Sequence, residues 1–266
     1  MNYVCPRCGN ANPRYIGYKD GVPYCRKCIN LSGRLATTNN HNSHFSCVAI
    51  DYHLSEEQLV ASGRIATALN QGKNVLVNAV CGSGKTELVF ESIKQAVING
   101  QQVGFVIPRR DVVIEIHRRL VKAFPFNTIT AVFGGNNEIL SGEIIVLTSH
   151  QLHRYPRYFD LLIMDEMDAF PFAGNDVLMA MFKRSCRGHY VVMSATIREQ
   201  QIIAFKNKGG EVVSLDSRYH GHPLPVPTIV LRLGILKYFF LIRKVRELVQ
   251  QNKPVFVFAP TIALCE

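Results

Sequence analysis

The chain of 266 residues is long enough for about two domains. Hydrophobic residues make up 47% of it and charged residues 19%, a composition that excludes wholesale disorder and predicts a packed core. The net charge is +10, from 30 Lys and Arg residues against 20 Asp and Glu residues. This excess favours a polyanionic partner, such as nucleic acid or an acidic membrane surface.

The sequence predicts an intracellular protein without a membrane-spanning helix. We find no run of about 18 apolar residues that is free of charge, and the most apolar stretch, 233–242, contains Lys237. The first ten residues lack the apolar segment of a secretory signal peptide. In a reducing compartment, the eight cysteines are expected to be metal ligands or core residues instead of disulfide partners.

The first 31 residues are predicted to form a zinc-binding module. Their four cysteines form two C-x2-C pairs separated by sixteen residues, a spacing typical of four-thiolate zinc sites. The hairpin signal Asp20-Gly21 lies between the pairs, so we expect a zinc ribbon whose metal supplies folding energy. The expected ligands are Cys5, Cys8, Cys25 and Cys28. Four cysteine ligands leave no position for water, which indicates a structural metal.

A polar segment, 32–52, is predicted to be a linker because it is rich in Ser, Thr, Asn and His. Between residues 53 and 220, short apolar runs alternate with helical patterns, which predicts a doubly wound α/β domain around a parallel sheet. The predicted strands are Val75–Val80, Val103–Ile107, Ile144–Thr148, Leu161–Met164 and Tyr190–Met193. The predicted helices are 55–70, with Ser55 as its N-cap, 85–99 and 110–123.

Residues 221–266 are predicted to hold a stiff connector and the start of a second α/β domain. Three prolines between residues 223 and 227 form the connector. After them come a predicted strand, Thr228–Leu233, a predicted helix, 235–251, and a second predicted strand, Val255–Phe258.

A phosphate-binding loop is predicted at Ala79–Thr86, between a buried strand and a helix. Its glycines allow backbone N–H groups to approach phosphates without interference from a Cβ atom, and the helix N-terminus favours an anion. Lys85 is expected to contact the β- and γ-phosphates, and the Thr86 hydroxyl to ligate Mg²⁺. The expected nucleotide-binding residues of this loop are Gly82, Ser83, Gly84, Lys85 and Thr86.

Acidic residues follow the apolar strand Leu161–Met164, at the edge where parallel sheets bind ligands. Asp165 is expected to hold Mg²⁺ through water, and Glu166 to polarise the water that attacks the γ-phosphate. We therefore expect Lys85, Asp165 and Glu166 to be the catalytic residues of an ATPase. Two half-sites, each at a strand end, are more specific than either motif alone.

These motifs resemble those of superfamily-two helicase-type ATPases, and more closely those of the ComFA family of late competence proteins. The resemblance extends over nearly the whole chain. The segments that carry it are the four-cysteine module, Asn78–Glu87, Pro108–Asp111, Thr148–Gln151, Asp165–Phe172, Ser194–Thr196 and Arg218–Val226. It implies a RecA-like fold for the α/β domains, with ATP, Mg²⁺ and Zn²⁺ as cofactors.

The resemblance also implies a function, that of a DNA-stimulated ATPase that draws single-stranded DNA into competent cells. The implied partners are single-stranded DNA, other competence proteins and the membrane DNA-uptake channel. The implied location is the cytoplasm, at the inner face of the membrane. In this family, arginines of the second motor domain reach the γ-phosphate. Because no such segment follows the predicted strand Val255–Phe258, we expect this chain to bind nucleotide but to hydrolyse it poorly.

The same resemblance implies further residue roles. Gln58 matches the glutamine that reads adenine. Ser194 and Thr196 match an element that, together with Asp168, links hydrolysis to movement. Residues after the second and third predicted strands match segments that contact the DNA backbone. These implied DNA-binding residues are Arg109, Arg110, Thr148, Ser149 and His150.

Several alternatives stay open at this point. A replication-restart helicase also combines zinc ribbons with a similar motor, but its zinc motifs lie between late motor motifs instead of before the motor. A non-enzyme alternative is a zinc-stabilised module that binds DNA and ATP without hydrolysis. Asp168 is also compatible with an RNA motor. The zinc ribbon could bind DNA through its basic residues or a protein partner through its tyrosines.

Overall fold

The computed structural model describes residues 3–37, 45–80, 82–216, 226–231, 234–259 and 261. The chain divides into two compact units, Met1–His222 and Pro223–Glu266. Most of the predicted proline connector, and most of the segment Arg218–Val226, lies outside the described residues.

The N-terminal module contains an antiparallel hairpin of two strands, β1 (Ile16–Lys19) and β2 (Val22–Cys25). A short 3-10 helix, Pro13–Tyr15, precedes it. At the turn, Asp20 and Gly21 have φ angles of 51° and 79°. Two positive φ angles match the right-handed twist of the flanking strands, which is why an Asp-Gly pair favours this turn. The predicted hairpin is therefore confirmed.

Seven strands form the sheet of the first unit, and every neighbouring pair in it is parallel. They are β3 (Val75–Ala79), β4 (Val103–Ile107), β5 (Ile129–Val132), β6 (Ile144–Thr148), β7 (Phe159–Met164), β8 (Cys186–Ser194) and β9 (Glu211–Leu215). Their order in the sheet is β5-β6-β4-β7-β8-β3-β9. The predicted doubly wound α/β fold is confirmed.

The helices of the first unit connect these strands. They are α1 (Glu56–Asn70), α2 (Lys85–Leu88), α3 (Phe90–Ile98), α4 (Arg110–Ala123), α5 (Asp176–Ser185) and α6 (Glu199–Asn207), with a 3-10 helix at Ser149–Arg154. A capping box starts α1: the Ser55 hydroxyl accepts a hydrogen bond from the Gln58 N–H, and the Gln58 side chain accepts one from the Ser55 N–H. These bonds satisfy backbone donors that a helix start leaves free.

Both faces of the sheet are covered, which explains why its central strands are apolar runs without alternation. All five residues of β4 are buried. Val103, Phe105 and Ile107 pack into a core with residues of α1, α3 and α4. Val106 points into the opposite core, which contains residues of α5 and also the four cysteines of the N-terminal module.

The strand order determines where the candidate site lies. β8 lies between β7 and β3, so the loops that follow these three strands emerge side by side at the carboxyl edge of the sheet. Those loops carry the phosphate-binding loop, the acidic cluster and the Ser194–Thr196 segment. A parallel α/β sheet binds its ligands at this edge.

The predicted elements of the first unit differ from the structure in one divided helix, two additional strands and two additional helices. The predicted helix 85–99 is two helices, Lys85–Leu88 and Phe90–Ile98, which are separated at Val89, with φ of −98° and ψ of −3°. The strands β5 and β9 were not predicted from the sequence. Two helices, α5 and α6, were not predicted either.

The described part of the second unit contains one helix, α7 (Leu236–Gln250), which confirms the predicted helix 235–251. The predicted strands are wrong for their described residues, since 228–231 and 255–258 have no strand pairing. A strand needs a neighbour to satisfy its backbone groups, and the described residues of this unit provide none. Throughout the described chain, each helix is too short or too polar to cross a bilayer.

Candidate functional site

The phosphate-binding loop follows β3, as predicted. Gly82 and Gly84 have φ angles of 80° and 76°, in the left-handed region that favours glycine. Gly84 is also the N-cap of α2. A Cβ atom on Gly84 would lie closer than 3.0 Å to the Gln58 side-chain nitrogen, so both the φ angle and the available space require glycine there. Ser83 is buried, and its hydroxyl lacks a hydrogen-bond partner in the described parts of the chain.

A cleft of about 780 Å³ opens beside this loop. Lys85 and Thr86 line it together with the acids Asp165 and Glu166, which follow β7. The structure thus brings the two predicted half-sites into one cleft. A lysine, a hydroxyl and carboxylates are the groups that a Mg²⁺–triphosphate complex requires, so the residues present fit that ligand.

Asp165 lines the cleft and is partly buried. Burial raises the pKa of the Asp165 carboxyl above its ordinary value, although the nearby Lys85 ammonium lowers it. A carboxylate in this environment gains from a cation, because a positive charge offsets the cost of burying a negative one. Its Oδ1 accepts a hydrogen bond of 3.0 Å from the Glu166 N–H. Glu166 has a φ of 55°, which is uncommon for a residue with a Cβ atom.

The loops after β7 and β8 are joined by side-chain hydrogen bonds. The Thr196 hydroxyl donates to Oδ2 of Asp168, and the Thr196 N–H donates to the Ser194 hydroxyl oxygen at 3.1 Å. Burial raises the pKa of Asp168, but hydrogen bonds from Ser194 and Thr196 hold the pKa below its ordinary value. The structure therefore brings these three residues together. Their coupling role stays a prediction.

Gln58 is not a surface residue, since only 2% of it is exposed. Its side-chain nitrogen donates a hydrogen bond of 2.7 Å to the carbonyl oxygen of Ser83 in the phosphate loop. Its side-chain oxygen accepts from Ser55 at 2.9 Å. Gln58 therefore ties the start of α1 to the phosphate loop. The adenine contact that the resemblance implies stays a prediction.

The implied DNA-binding residues differ in their exposure. Arg109 and Arg110 are exposed at the start of α4, and the Arg110 guanidinium lies 5.0 Å from the centre of the Phe133 ring. His150 is exposed, whereas Thr148 and Ser149 are buried. The Thr148 and Ser149 side chains are therefore not exposed to solvent in this structure, and the DNA contacts of all five residues stay predictions.

The four predicted zinc ligands converge. Their Sγ atoms all lie within 4.8 Å of one another, and each of the four residues is buried. The Cys5–Cys28 and Cys8–Cys25 Sγ distances are 3.5 and 3.7 Å. A tetrahedral zinc ion with Zn–S bonds of about 2.3 Å requires a sulfur–sulfur distance of about 3.8 Å, so the cluster fits the metal. Burial raises the pKa of Cys5, but backbone hydrogen bonds from Cys8 and Arg7 oppose it and bring the pKa to about 7.

The residues after the cysteine cluster dock on the 3-10 helix Ser149–Arg154. The Ala36 N–H donates to the Arg154 carbonyl oxygen at 2.8 Å. The Arg154 guanidinium donates to the Arg34 carbonyl oxygen at 3.0 Å, and the His153 ring contacts the Ser32 carbonyl oxygen at 3.2 Å. The predicted linker is thus fixed to the sheet domain along this part of its length.

Three residues of the cleft were missed by the sequence reasoning. Glu87 follows Thr86 directly and is buried, and its Oε1 accepts hydrogen bonds from the Tyr52 hydroxyl at 2.8 Å and from the Arg119 guanidinium. Tyr52 and Arg119 also line the cleft. The sequence signal that was available is a glutamate among the apolar residues at the start of a helix. Because charged side chains are rarely buried without a partner, such a glutamate predicts one.

Comparison with known proteins supports the interpretation of this chain as a helicase-type ATPase. Residues 61–204, more than half of the chain, match the model of the DEAD/DEAH box helicase family. The chain belongs to this family. It is 29% identical over 287 residues to the competence protein ComFA of Bacillus subtilis and 26% identical over 277 residues to that of Streptococcus pneumoniae. These similarities cover 99% and 97% of the chain, and 62% and 63% of the relatives. The chain thus spans less than two thirds of their length.

More distant similarities agree with the family. The chain is 29% identical over 190 residues to the replication restart protein PriA of Rickettsia prowazekii, which covers 65% of the chain and 29% of that protein. Two solved structures share the fold, each with a TM-score of 0.51 and 15% identity. One is the SWI2/SNF2 ATPase core of Sulfolobus solfataricus in complex with dsDNA, over 60% of this chain and 36% of that one. The other is Mss116p bound to ssRNA and AMP-PNP, over 75% of this chain and 48% of that one.

Proposed function

We propose that this chain carries the nucleotide-binding part of an ATP-dependent motor that moves single-stranded DNA during competence. The observation that carries the proposal is the convergence of Lys85, Thr86, Asp165 and Glu166 in one cleft of a DEAD/DEAH box helicase domain. The similarity to ComFA proteins over 99% and 97% of the chain supports the role in competence.

The chemistry is in-line attack of water on the γ-phosphate of ATP. Lys85 neutralises charge on the β- and γ-phosphates. Thr86 and Asp165 are the residues that would hold Mg²⁺, which when bound adds positive charge beside the same phosphates. Glu166 orients the attacking water or removes its proton. Burial raises the pKa of the Asp165 carboxyl, and a cation beside this group would lower the pKa again and favour the charged form.

Coupling to movement is assigned to the hydrogen bond between Thr196 and Asp168. This bond spans the loops after two neighbouring strands, and one of these loops also carries Asp165 and Glu166. A change of charge in the cleft when the γ-phosphate leaves would alter the environment of Asp168. The loop after β8, which is hydrogen-bonded to Asp168 through Thr196, would then shift together with Asp168.

The nucleic-acid contacts are assigned to Arg109, Arg110 and His150, which are exposed at the same edge of the sheet. The zinc module is proposed to extend this surface, because its tail docks on the 3-10 helix that contains His150. Phosphate contacts by arginine and lysine supply most of the affinity in binding of this kind. The basic residues of the module are Arg7, Arg14, Lys19, Arg26 and Lys27.

A replication-restart function is the second candidate, and the similarity to PriA over 190 residues favours it. It accounts for less of the chain than the similarity to ComFA does, 65% against 99%. The position of the four-cysteine cluster ahead of the helicase domain also favours the competence function.

Phosphate release from ATP tests the proposal. The unaltered chain and Lys85→Ala are compared without nucleic acid and with single-stranded DNA, duplex DNA or RNA, at one fixed salt concentration. We expect stimulation by single-stranded DNA in the unaltered chain and none in Lys85→Ala. If hydrolysis is slow, nucleotide-dependent DNA binding is measured in the same two proteins. DNA binding that is insensitive to nucleotide, without phosphate release, would contradict a motor.

A further inference from the structure

The strand β9 forms one edge of the sheet, and its outer side offers backbone groups for pairing. On the side of β3, the Glu211 N–H and the Leu215 carbonyl oxygen form hydrogen bonds of 2.9 and 3.1 Å. The residues of a strand direct their backbone groups alternately to its two sides, so Val212 and Ser214 direct theirs outwards. The Val212 carbonyl oxygen accordingly accepts from Arg64 at 3.1 Å. Ser214 is exposed, and on this outer side no described residue forms a hydrogen bond with its backbone.

A groove follows this edge between β9 and α1. It consists of two adjoining cavities of about 670 and 440 Å³, both of which are lined by Val60 and Arg64. Along α1 the groove extends from Glu56 to Gln71, which is a helical length of about 22 Å at a rise of about 1.5 Å per residue. An extended segment of about seven residues has the same length, at about 3.3 Å per residue. The groove therefore has the dimensions of one added strand.

The groove is acidic, although the chain as a whole has a net charge of +10. Glu56, Glu57 and Asp216 line its larger cavity. Arg64 also lines it, but its guanidinium already bonds to the Glu211 carboxylate at 2.6 Å. These carboxylates disfavour nucleic acid, and a second copy of the chain paired through the same edge would bring like charges together. The groove is instead complementary to a basic segment.

We propose that β9 and α1 form a docking site for an extended, basic segment of a partner protein, which pairs with β9 as an additional strand. The added strand accepts a hydrogen bond from the Ser214 N–H and donates one to the Ser214 carbonyl oxygen. Its basic side chains lie on the side of α1, against Glu56 and Asp216. The site shares no lining residue with the nucleotide cleft, so the proposal is independent of the proposed ATPase function.

Synthetic peptides test the proposal because they separate main-chain pairing from charge attraction. The probe is a fluorescently labelled peptide of about seven alternating lysine and valine residues, matched to the groove length. Its binding to the unaltered chain is measured by fluorescence anisotropy, with a peptide of alternating glutamate and valine as the control for charge. Two further basic peptides carry N-methyl groups, one on its lysines and the other on its valines. N-methylation removes N–H donors but keeps the charge, so one of these two peptides should bind about tenfold more weakly than the other.

Two variants test the same site from the side of the chain. Ser214→Pro removes the outward N–H and keeps the hydrogen bonds between β9 and β3, because proline is tolerated where the N–H of an edge strand faces solvent. Glu56→Gln combined with Asp216→Asn removes two charges. We expect each variant to bind the basic peptide about fivefold more weakly. Glu138→Gln is the matched control, since Glu138 is exposed after β5, at the opposite edge of the sheet. Thermal unfolding verifies that each variant is folded.

Each part of the proposal has an outcome that overturns it. Equal affinities of the two N-methylated peptides overturn strand pairing, and equal affinities of the acidic and basic peptides overturn the role of charge. Full affinity for the basic peptide in the folded double variant Glu56→Gln/Asp216→Asn overturns the site itself, even if Ser214→Pro fails to fold. A dimer of the unaltered chain in sedimentation that Ser214→Pro dissociates overturns the proposal too, because the edge then pairs with a second copy. If the unaltered chain binds none of the peptides, the proposal fails.

Discussion

The hydroxyl of Thr196 donates a hydrogen bond to the carboxylate of Asp168, which joins the loop after β8 to the loop after β7. Asp168 is three residues from Asp165, which lines the nucleotide cleft, and Thr196 is two residues beyond the end of β8. The bond is thus a direct link between the cleft and a neighbouring strand, and its removal is an informative perturbation.

Thr196→Val removes this hydroxyl with little change in shape. We expect unchanged affinity for ATP and a reduced ratio of DNA-stimulated to unstimulated phosphate release. Because Asp168 is mostly exposed, the loss in the free energy of unfolding should be only about 0.5–1 kcal/mol at neutral pH. A variant with normal stimulation by DNA would refute the coupling role.

The same variant should show a pH dependence of defined sign. The folded state holds the pKa of Asp168 below its ordinary value, so its stabilisation is present above the unfolded pKa of about 3.9 and is lost as pH falls through the folded pKa. The difference in stability between Thr196→Val and the unaltered chain should therefore shrink as the pH drops below about 4. Chemical denaturation at a series of pH values measures this difference in stability. A difference that does not change with pH would argue against a contribution from the charged Asp168 carboxylate.

Gly84→Ala tests the geometry of the phosphate loop. A left-handed φ costs a residue with a Cβ atom about 1–2 kcal/mol, and the new methyl group would also displace Gln58. We expect weaker ATP binding together with lower stability. Gly63→Ala is the matched control: Gly63 lies within α1, where the described residues leave its Cβ position free of contacts within 4 Å. That change should raise stability by about 0.5–1 kcal/mol and leave ATP binding intact.

Cys5→Ser tests the metal cluster. Loss of one of four thiolate ligands should reduce the zinc content from about one ion per chain and lower the unfolding temperature. Cys47→Ser is the control, since Cys47 is outside the cluster and only partly buried. Elemental analysis and thermal unfolding give the answer. Equal zinc content in the two variants would disprove the assigned ligand set.

Arg109→Ala tests the assigned nucleic-acid surface. Each lost phosphate contact should reduce the slope of log affinity against log salt by about 1, and weaken binding similarly for all sequences. Lys73→Ala removes one positive charge at the opposite edge of the sheet, before β3, and should leave the slope unchanged. Binding titrations with single-stranded DNA at several salt concentrations compare the two. Equal slopes of log affinity against log salt for the two variants would show that Arg109 is not part of the nucleic-acid surface.

The central strands and the phosphate loop could be predicted because their signals are local. A buried parallel strand is a continuous apolar run, and β4 matches its predicted bounds. The edge strands β5 and β9 were missed because edge strands are only partly buried, and their mixed sequences ITAV and EVVSL carry no such run. Their existence depends on pairing with β6 and β3, which a single segment does not encode.

Burial of polar residues was the harder part of the site to predict. Ser149 follows a strand and resembles a surface motif, yet packing of the cysteine-module tail covers its helix. Glu87 is buried because Tyr52 and Arg119, distant in sequence, supply its hydrogen bonds. Such contacts join residues that are 32 or more positions apart, so no window of sequence reveals them.

The docking of the N-terminal tail has a consequence for synthesis on the ribosome. The Arg154 guanidinium donates a hydrogen bond to the carbonyl oxygen of Arg34, which lies 120 positions earlier in the chain. At a translation rate of about 5–20 residues per second, its docking helix emerges about 6–24 seconds after the tail does. During that interval the cysteine cluster is stabilised only by contacts within the N-terminal module, because its docking helix has not yet been synthesised. Zinc binding at the predicted cysteine ligands would stabilise the nascent N-terminal module until the sheet has formed.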